Sequence, residues 1–284
     1  MNNFLFTKLT AAGNDFILID RKLNPSIDLN SAFIKKICDR RTGIGADGVL
    51  EFSDSSTYPF ELKYFNSDGS TGVLCANGAR CALRYAFLSG RIGKEHTKFI
   101  VNDTEYSGEV LDDKLVKFNL NEPKNIKMNF KIKAANQLIN ASYINTGAPH
   151  VVIKITDILK NPKQPYSFYN ELEEIPVFEI GREIRYHRDF QPDGTNVNFI
   201  DIQNDYIKIR TYEKGIEDET LACGTGSVAS ALIGYFNYNI HPPIKLITRS
   251  GETFIVDFKI ENNSIKDLSL TGPAILVFKG ELIN

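Results

Sequence analysis

The chain has 284 residues, 42% hydrophobic and 24% charged, with a formal net charge of -2; that is enough for two domains or one large one, and no Lys/Arg block offers a surface to nucleic acid or an anionic membrane. The N-terminal MNNFLFTKLTAAGNDF lacks the basic and apolar regions of a secretory signal, and no stretch approaches the roughly 18 apolar residues of a membrane helix, so a cytoplasmic protein is expected. Four cysteines (Cys38, Cys75, Cys81, Cys223) make neither a disulfide framework nor two CxxC pairs, so reduced thiols and no metal are expected.

In chain order, TAAGNDFILID reads as a turn and strand, FIKKICDRR as helical with Cys38 as packing filler, and RRTGIGADGVL as a Gly-rich loop into a strand. ELKYF alternates as a strand and is followed by a polar Gly-containing loop, Cys75 and a Gly turn. A helix begins there, with Ala79, Ala82, Leu83, Ala86 and Phe87 on one apolar stripe and Gly90 as its C-terminal cap. TKFIVNDTEYSGEVLDDKLVKFNL gives strands joined by tight turns, and the polar NLNEPKNIKMN at 119–129 is the linker candidate.

The order then repeats. INTGAPHVVIKI matches the first strand-turn, FQPDGTNVNFID the second loop, and IKIRTY the alternating strand. Cys223 then precedes a Gly/Thr/Gly turn and a helix whose stripe is Val228, Ala231, Leu232, Tyr235 and Phe236. IKLITRSGETFIVDFKIENNSIKDLSL supplies more strands, and AILVFKGEL ends the chain as one. The expected fold is α+β: two pseudo-symmetric domains, each a curved, barrel-like, mostly antiparallel sheet around a central helix. The expected halves are 1–122, joined by the C-terminal strand 273–284, and 123–272.

Cys75 and Cys223 occupy equivalent points, each at a helix N-terminus. Unpaired N–H groups and the helix dipole favour negative charge there, both a thiolate and a bound carboxylate. A pseudo-twofold arrangement would set the two sulfurs on opposite faces of one carbon, the geometry that inverts a stereocentre. One thiolate removes the α-proton and the other thiol returns a proton, while the N–H groups stabilise the carboxylate as charge grows. A single cysteine is more often inert filler; the matched pair is what points to chemistry, and Cys38 and Cys81 stay with the filler reading.

At these residues the chain resembles diaminopimelate epimerase: GNDF at 13–16, RTGIGADG at 41–48, FNSDG at 65–69, CANGARC at 75–81, GTNVNF at 194–199, YEKG at 212–215 and ACGTG at 222–226 occur in that family's order. The resemblance implies a cofactor-independent epimerase interconverting LL- and meso-diaminopimelate, an amino-acid substrate of lysine and peptidoglycan synthesis, and a homodimer. By motif, Cys75 and Cys223 match its catalytic cysteines. Asn14, Asn66, Asn196, Glu213 and Lys214 match groups that bind the substrate's polar ends; asparagine alone more often builds turns. Ala76, Asn77, Gly224 and Thr225 match the helix starts that hold the reacting carboxylate. His150 and Glu213 match residues proposed to tune the thiols, although an isolated histidine before VVI would ordinarily be a hydrogen-bonded core residue. Ala76 replaces the family's usual Gly, Lys214 its Arg, and Ala148 its Asn. The rivals are a proline or hydroxyproline racemase of the same superfamily, an anion-binding module, and a dithiol redox protein.

Overall fold

A computed structural model describes residues 3–72 and 74–283. The chain divides into two units, Met1–Asn119 with Thr271–Asn284, and Leu120–Leu270. Unit 1 holds β1 (Phe4–Ala11), β2 (Asn14–Asp20), α1 (Ser31–Cys38), β3 (Gly48–Ser53), β4 (Glu61–Asn66), α2 (Ala76–Leu88), β5 (Thr97–Val101), β6 (Thr104–Val110) and β7 (Leu115–Asn119). Its sheet alternates in sense. β1–β2 is antiparallel, β2–β3 parallel, β3–β4 antiparallel, β4–β5 parallel, and β5–β6–β7 antiparallel. Each parallel step needs a crossover, and α1 and α2 are those crossovers.

Unit 2 holds β8 (Lys124–Ala134), β9 (Gln137–Asn145), β10 (Pro149–Lys154), α3 (Val177–Arg185), β11 (Asn196–Ile202), β12 (Tyr206–Glu213), β13 (Asp218–Thr220), α4 (Gly224–Tyr238), β14 (Ile244–Ile247), β15 (Thr253–Glu261) and β16 (Ser264–Pro273). The same alternation returns. β9–β10 is antiparallel, β10–β11 parallel, β11–β12 antiparallel, β12–β14 parallel and β14–β15 antiparallel. α3 and α4 are its crossovers. In unit 2, β8 pairs antiparallel with β9; in unit 1 the equivalent partner of β1 is the last strand, β17 (Ile275–Leu282). The duplication is therefore topological and extends beyond matched motifs.

α2 packs on β1, β2, β6, β7 and β17, and α4 on β9, β10, β11, β12, β14 and β15, so each helix lies inside its own curled sheet. Close packing sets the glycine at Gly108: a Cβ there would lie 2.5 Å from Leu83 Cδ1. Beside α2, Phe60 stacks between Phe52 and Phe99 at 4.9 and 4.7 Å, and all three are fully buried. The unit 2 core joins Ile132, Ile139, Val151, Val197 and Phe199 to Ile180 and Ile184 of α3. Among the described residues no helix is long and apolar enough to cross a membrane.

Three expectations change. The helices do not bury one stripe. Ala76–Ala86 are buried all round, Arg80 and Arg84 included, because sheet surrounds α2 on most sides. At the C-terminal ends of the expected stripes Phe87 is half-buried and Phe236 is exposed, since both helices emerge from the sheet in their last turn. The segment 119–129 is no open linker: β8 begins at Lys124, and only Leu120–Pro123 separates it from β7. Its ladder slips between Lys124 and Lys127 and again between Lys127 and Phe130, with Asn125 and Asn129 at positive φ (54° and 50°). Those bulges hide the alternation that would mark a strand.

Candidate active site

In unit 1, Cys75 has extended backbone (φ -120°, ψ 104°) and caps α2, its Sγ accepting from Gly78 N at 3.4 Å. Asn14, at the start of β2, presents Oδ1 to the same thiol at 3.8 Å. Asn77 Nδ2 donates to that oxygen at 3.2 Å. Both amides are oriented from behind. Asn14 Nδ2 donates to Asp47 Oδ2 at 2.7 Å, and Arg80 Nη2 donates to Asn77 Oδ1 at 2.7 Å. Arg80 also donates to Ala76 O at 3.3 Å and is fully buried. Burial lowers its pKa to about 10, which leaves it cationic at neutral pH. Asp47 in turn accepts from Arg40 at 2.7 Å, beside Asp15, which also takes Lys8 at 2.7 Å. Burial works against the Asp15 charge, but the bonds from Arg40 and Lys8 outweigh it and hold its carboxyl below the usual range. Asn66 ends β4 and donates to Ser70 Oγ at 2.9 Å, the turn-building role.

In unit 2, Cys223 caps α4 with a similar backbone (φ -113°, ψ 113°) and is buried. Its Sγ lies 3.7 Å from Thr225 Oγ1, which is 2.9 Å from His150 Nε2. His150 is fully buried, and burial lowers its pKa to about 3, so the ring is neutral. Thr225 O accepts from Thr146 Oγ1 at 2.9 Å, which ties Gly224–Thr225 to the turn before β10. Asn196 bridges two segments, donating to Pro149 O at 2.9 Å and accepting from Lys214 N at 2.8 Å. Glu213, half-buried at the end of β12, accepts from Thr220 Oγ1 at 2.9 Å; Lys214 is exposed.

Unit 1 thus gathers Cys75, Ala76, Asn77 and Asn14 at the start of α2, with Asn66 at the end of β4. Unit 2 gathers Cys223, Gly224, Thr225 and His150 at the start of α4, with Asn196, Glu213 and Lys214 where β11 and β12 meet. Each half sets a thiol among helix N–H groups, an environment that favours thiolate and carboxylate. The halves differ in one respect. Arg80 lies on α2 five residues after its cysteine; Val228 holds the matching place on α4.

Asp47, Arg80, Thr146 and Asn198 are not singled out by the sequence. Three of them sit inside the motifs RTGIGADG, CANGARC and GTNVNF, but their burial and partners are long-range facts. The other two cysteines, Cys38 and Cys81, are buried. Burial pushes the Cys38 thiol up to about 12 and raises the Cys81 thiol as well.

The family model for diaminopimelate epimerase matches residues 6–124 and 142–277. The diaminopimelate epimerase of Aquifex aeolicus is 37% identical over 98% of this chain and 97% of its own length. That of Chlorobaculum tepidum is 35% identical over 96% and 99%. Among solved structures, a phenazine biosynthesis protein of the PhzF family from Bacillus anthracis superposes with a TM-score of 0.71 at 13% identity, covering 100% of both chains. A hydroxyproline epimerase from Agrobacterium vitis does so at 0.67 and 13%, covering 99% of this chain and 92% of its own. These two likenesses are of fold.

Proposed function

The chain belongs to the diaminopimelate epimerase family, and from that membership we propose that it interconverts LL- and meso-2,6-diaminopimelate with Cys75 and Cys223 as its two bases. One cysteine, as thiolate, takes the α-proton; the C–H bond breaks, an S–H bond forms, and the electron pair moves toward the α-carboxylate. The other, as thiol, gives its proton to the opposite face of the carbon. N–H groups of Ala76, Asn77, Gly224 and Thr225 hold the reacting carboxylate where that charge grows. Asn14, Asn66, Asn196, Glu213 and Lys214 bind the substrate's other polar groups, with acidic and basic residues suited to its distal ammonium and carboxylate. The reaction needs no pyridoxal phosphate. Two reactive thiols call for a reducing compartment, the cytoplasm. We further propose that the protein works as a homodimer.

The single observation that supports this most is the matched position of the two cysteines, each capping the second crossover helix of a unit with the same strand order. Incubated with LL-diaminopimelate in D2O without cofactor, the protein is expected to give meso product carrying deuterium at the inverted α-carbon. Cys75→Ala and Cys223→Ala are each expected to lose epimerisation by several orders of magnitude. Wild-type turnover by Cys75→Ala would falsify the two-base scheme, and turnover of proline in place of diaminopimelate would reject the substrate.

A further inference from the structure

Behind Cys223 runs a row of buried polar groups, and the partners on it determine the direction of every bond but the last. Asn198 Nδ2 donates to Val151 O at 2.9 Å, and a carbonyl can only accept, so the amide's orientation is fixed. Its Oδ1 accepts from Thr211 Oγ1 at 2.9 Å, in agreement. The same Nδ2 lies 3.2 Å from His150 Nδ1, which must therefore be the unprotonated ring nitrogen. The ring is neutral, so its proton is on Nε2 and is donated to Thr225 Oγ1. That hydroxyl, already accepting, has its own proton free to point at Cys223 Sγ, 3.7 Å away. Asn198 and His150 are both fully buried. The start of α4 is built against this row: a Cβ on Gly226 would lie 2.3 Å from Asn198 Oδ1.

We propose that Asn198 is a positioning residue of this enzyme: it locks His150 in the Nε2–H tautomer and so turns the Thr225 hydroxyl into a donor to Cys223, favouring the thiolate there. The inference rests on the role given to Cys223 above, but it concerns a residue whose side chain hydrogen-bonds to His150, Thr211 and the backbone of Val151. The row carries direction rather than charge. Charged groups on the neighbouring strands are engaged elsewhere: Lys208 with Glu173, Arg210 with Glu219, and Lys154 over the Tyr238 ring. Lys245 and Asp257 are exposed.

Asn198→Asp tests this nearly isosterically. A carboxylate cannot donate to Nδ1; it accepts a proton from it instead, the ring switches tautomer, Nε2 becomes an acceptor, and the Thr225 hydroxyl turns from Cys223 toward the ring. The pH midpoint for iodoacetamide alkylation of Cys223, read in a Cys75→Ala background, is expected to rise by about one unit, a roughly tenfold slower reaction at neutral pH. An unchanged midpoint in a folded Asn198→Asp protein overturns the proposal. Nitrogen-15 NMR of His150 in the unmutated protein is a second test that does not depend on the variant folding. The Nε2–H tautomer is expected across neutral pH, and either the Nδ1–H tautomer or the imidazolium overturns the proposal. Neither readout needs turnover, so failure here is distinct from failure of the epimerase reading, which the deuterium experiment decides.

Discussion

Asn14 and Asn77 each carry an amide whose direction is dictated from behind, by Asp47 in one case and Arg80 in the other. An amide free to flip would offer Cys75 a donor and an acceptor in turn; fixed from behind, Asn14 presents Oδ1 to it. Arg80→Met, of similar length, leaves Asn77 Oδ1 buried without its cationic donor. A cost of about 1–3 kcal/mol is expected in urea unfolding. Freed to rotate, Asn77 is also expected to slow epimerisation by about ten- to a hundredfold, as small misplacements at a reacting centre do. Arg80→Lys keeps the charge but not the fork and is expected to fall between. Stability lost with kcat/KM intact would leave Arg80 a purely structural residue. The two cysteines could be read from the sequence because their surroundings are local: a strand before, glycines after, and a helix. Arg80 could not. On helical periodicity it is a polar residue beside an apolar stripe, and only the sheet around α2 makes it fully buried. Asn198 is hidden in the same way, because period-2 alternation turns it inward without saying what waits there.

At the level of elements, β8 and β17 fill equivalent places from opposite ends of the chain. β8 pairs with β9 at the start of unit 2, whereas β1 waits for β17, from Phe4↔Leu282 to Thr10↔Ile275. Phe6 packs edge-on to Phe278 at 5.9 Å across that pair, so the first and last strands of the chain stabilise each other. A chain ending at Pro273 leaves one edge of β1 without its ladder. Amide exchange is expected to accelerate by orders of magnitude in β1 and β2 while β9–β12 keep wild-type protection; equal protection of β1 in both proteins would refute that dependence. Most strands are legible because their turns are. Asn102–Asp103 and Asn262–Asn263 take positive φ between β5 and β6 and between β15 and β16, as hairpin turns with short polar residues do. α3 is harder to read, because its nine residues hold only Val177, Ile180, Gly181 and Ile184 inward, too short a pattern to stand out beside proline-rich loops.

Over the whole molecule, three exposed apolar side chains fall close together on one strand: Ile275, Val277 and Phe278 of β17 are exposed at 39, 52 and 47%. The cause is local. β17 carries an extra residue where the register shifts between Lys8↔Phe278 and Leu9↔Leu276, and that bulge brings Val277 and Phe278 to the surface together. Single exposed apolar residues need no explanation, but three within four residues of one strand make a patch of the kind that partners cover. A self-complementary patch satisfies the symmetry of a twofold dimer, which needs about 800 Å² from each copy; the three side chains would be its apolar centre. The protein is therefore expected to sediment at twice its 31.9 kDa chain mass. Ile275→Lys with Val277→Lys places like charges in the patch of both copies and is expected to shift it to monomer at micromolar concentration. Neither position belongs to the buried core, so the melting temperature of the monomer should reveal whether folding depends on the pairing. A wild-type monomer, or a double variant that stays dimeric, would move the interface elsewhere or remove it.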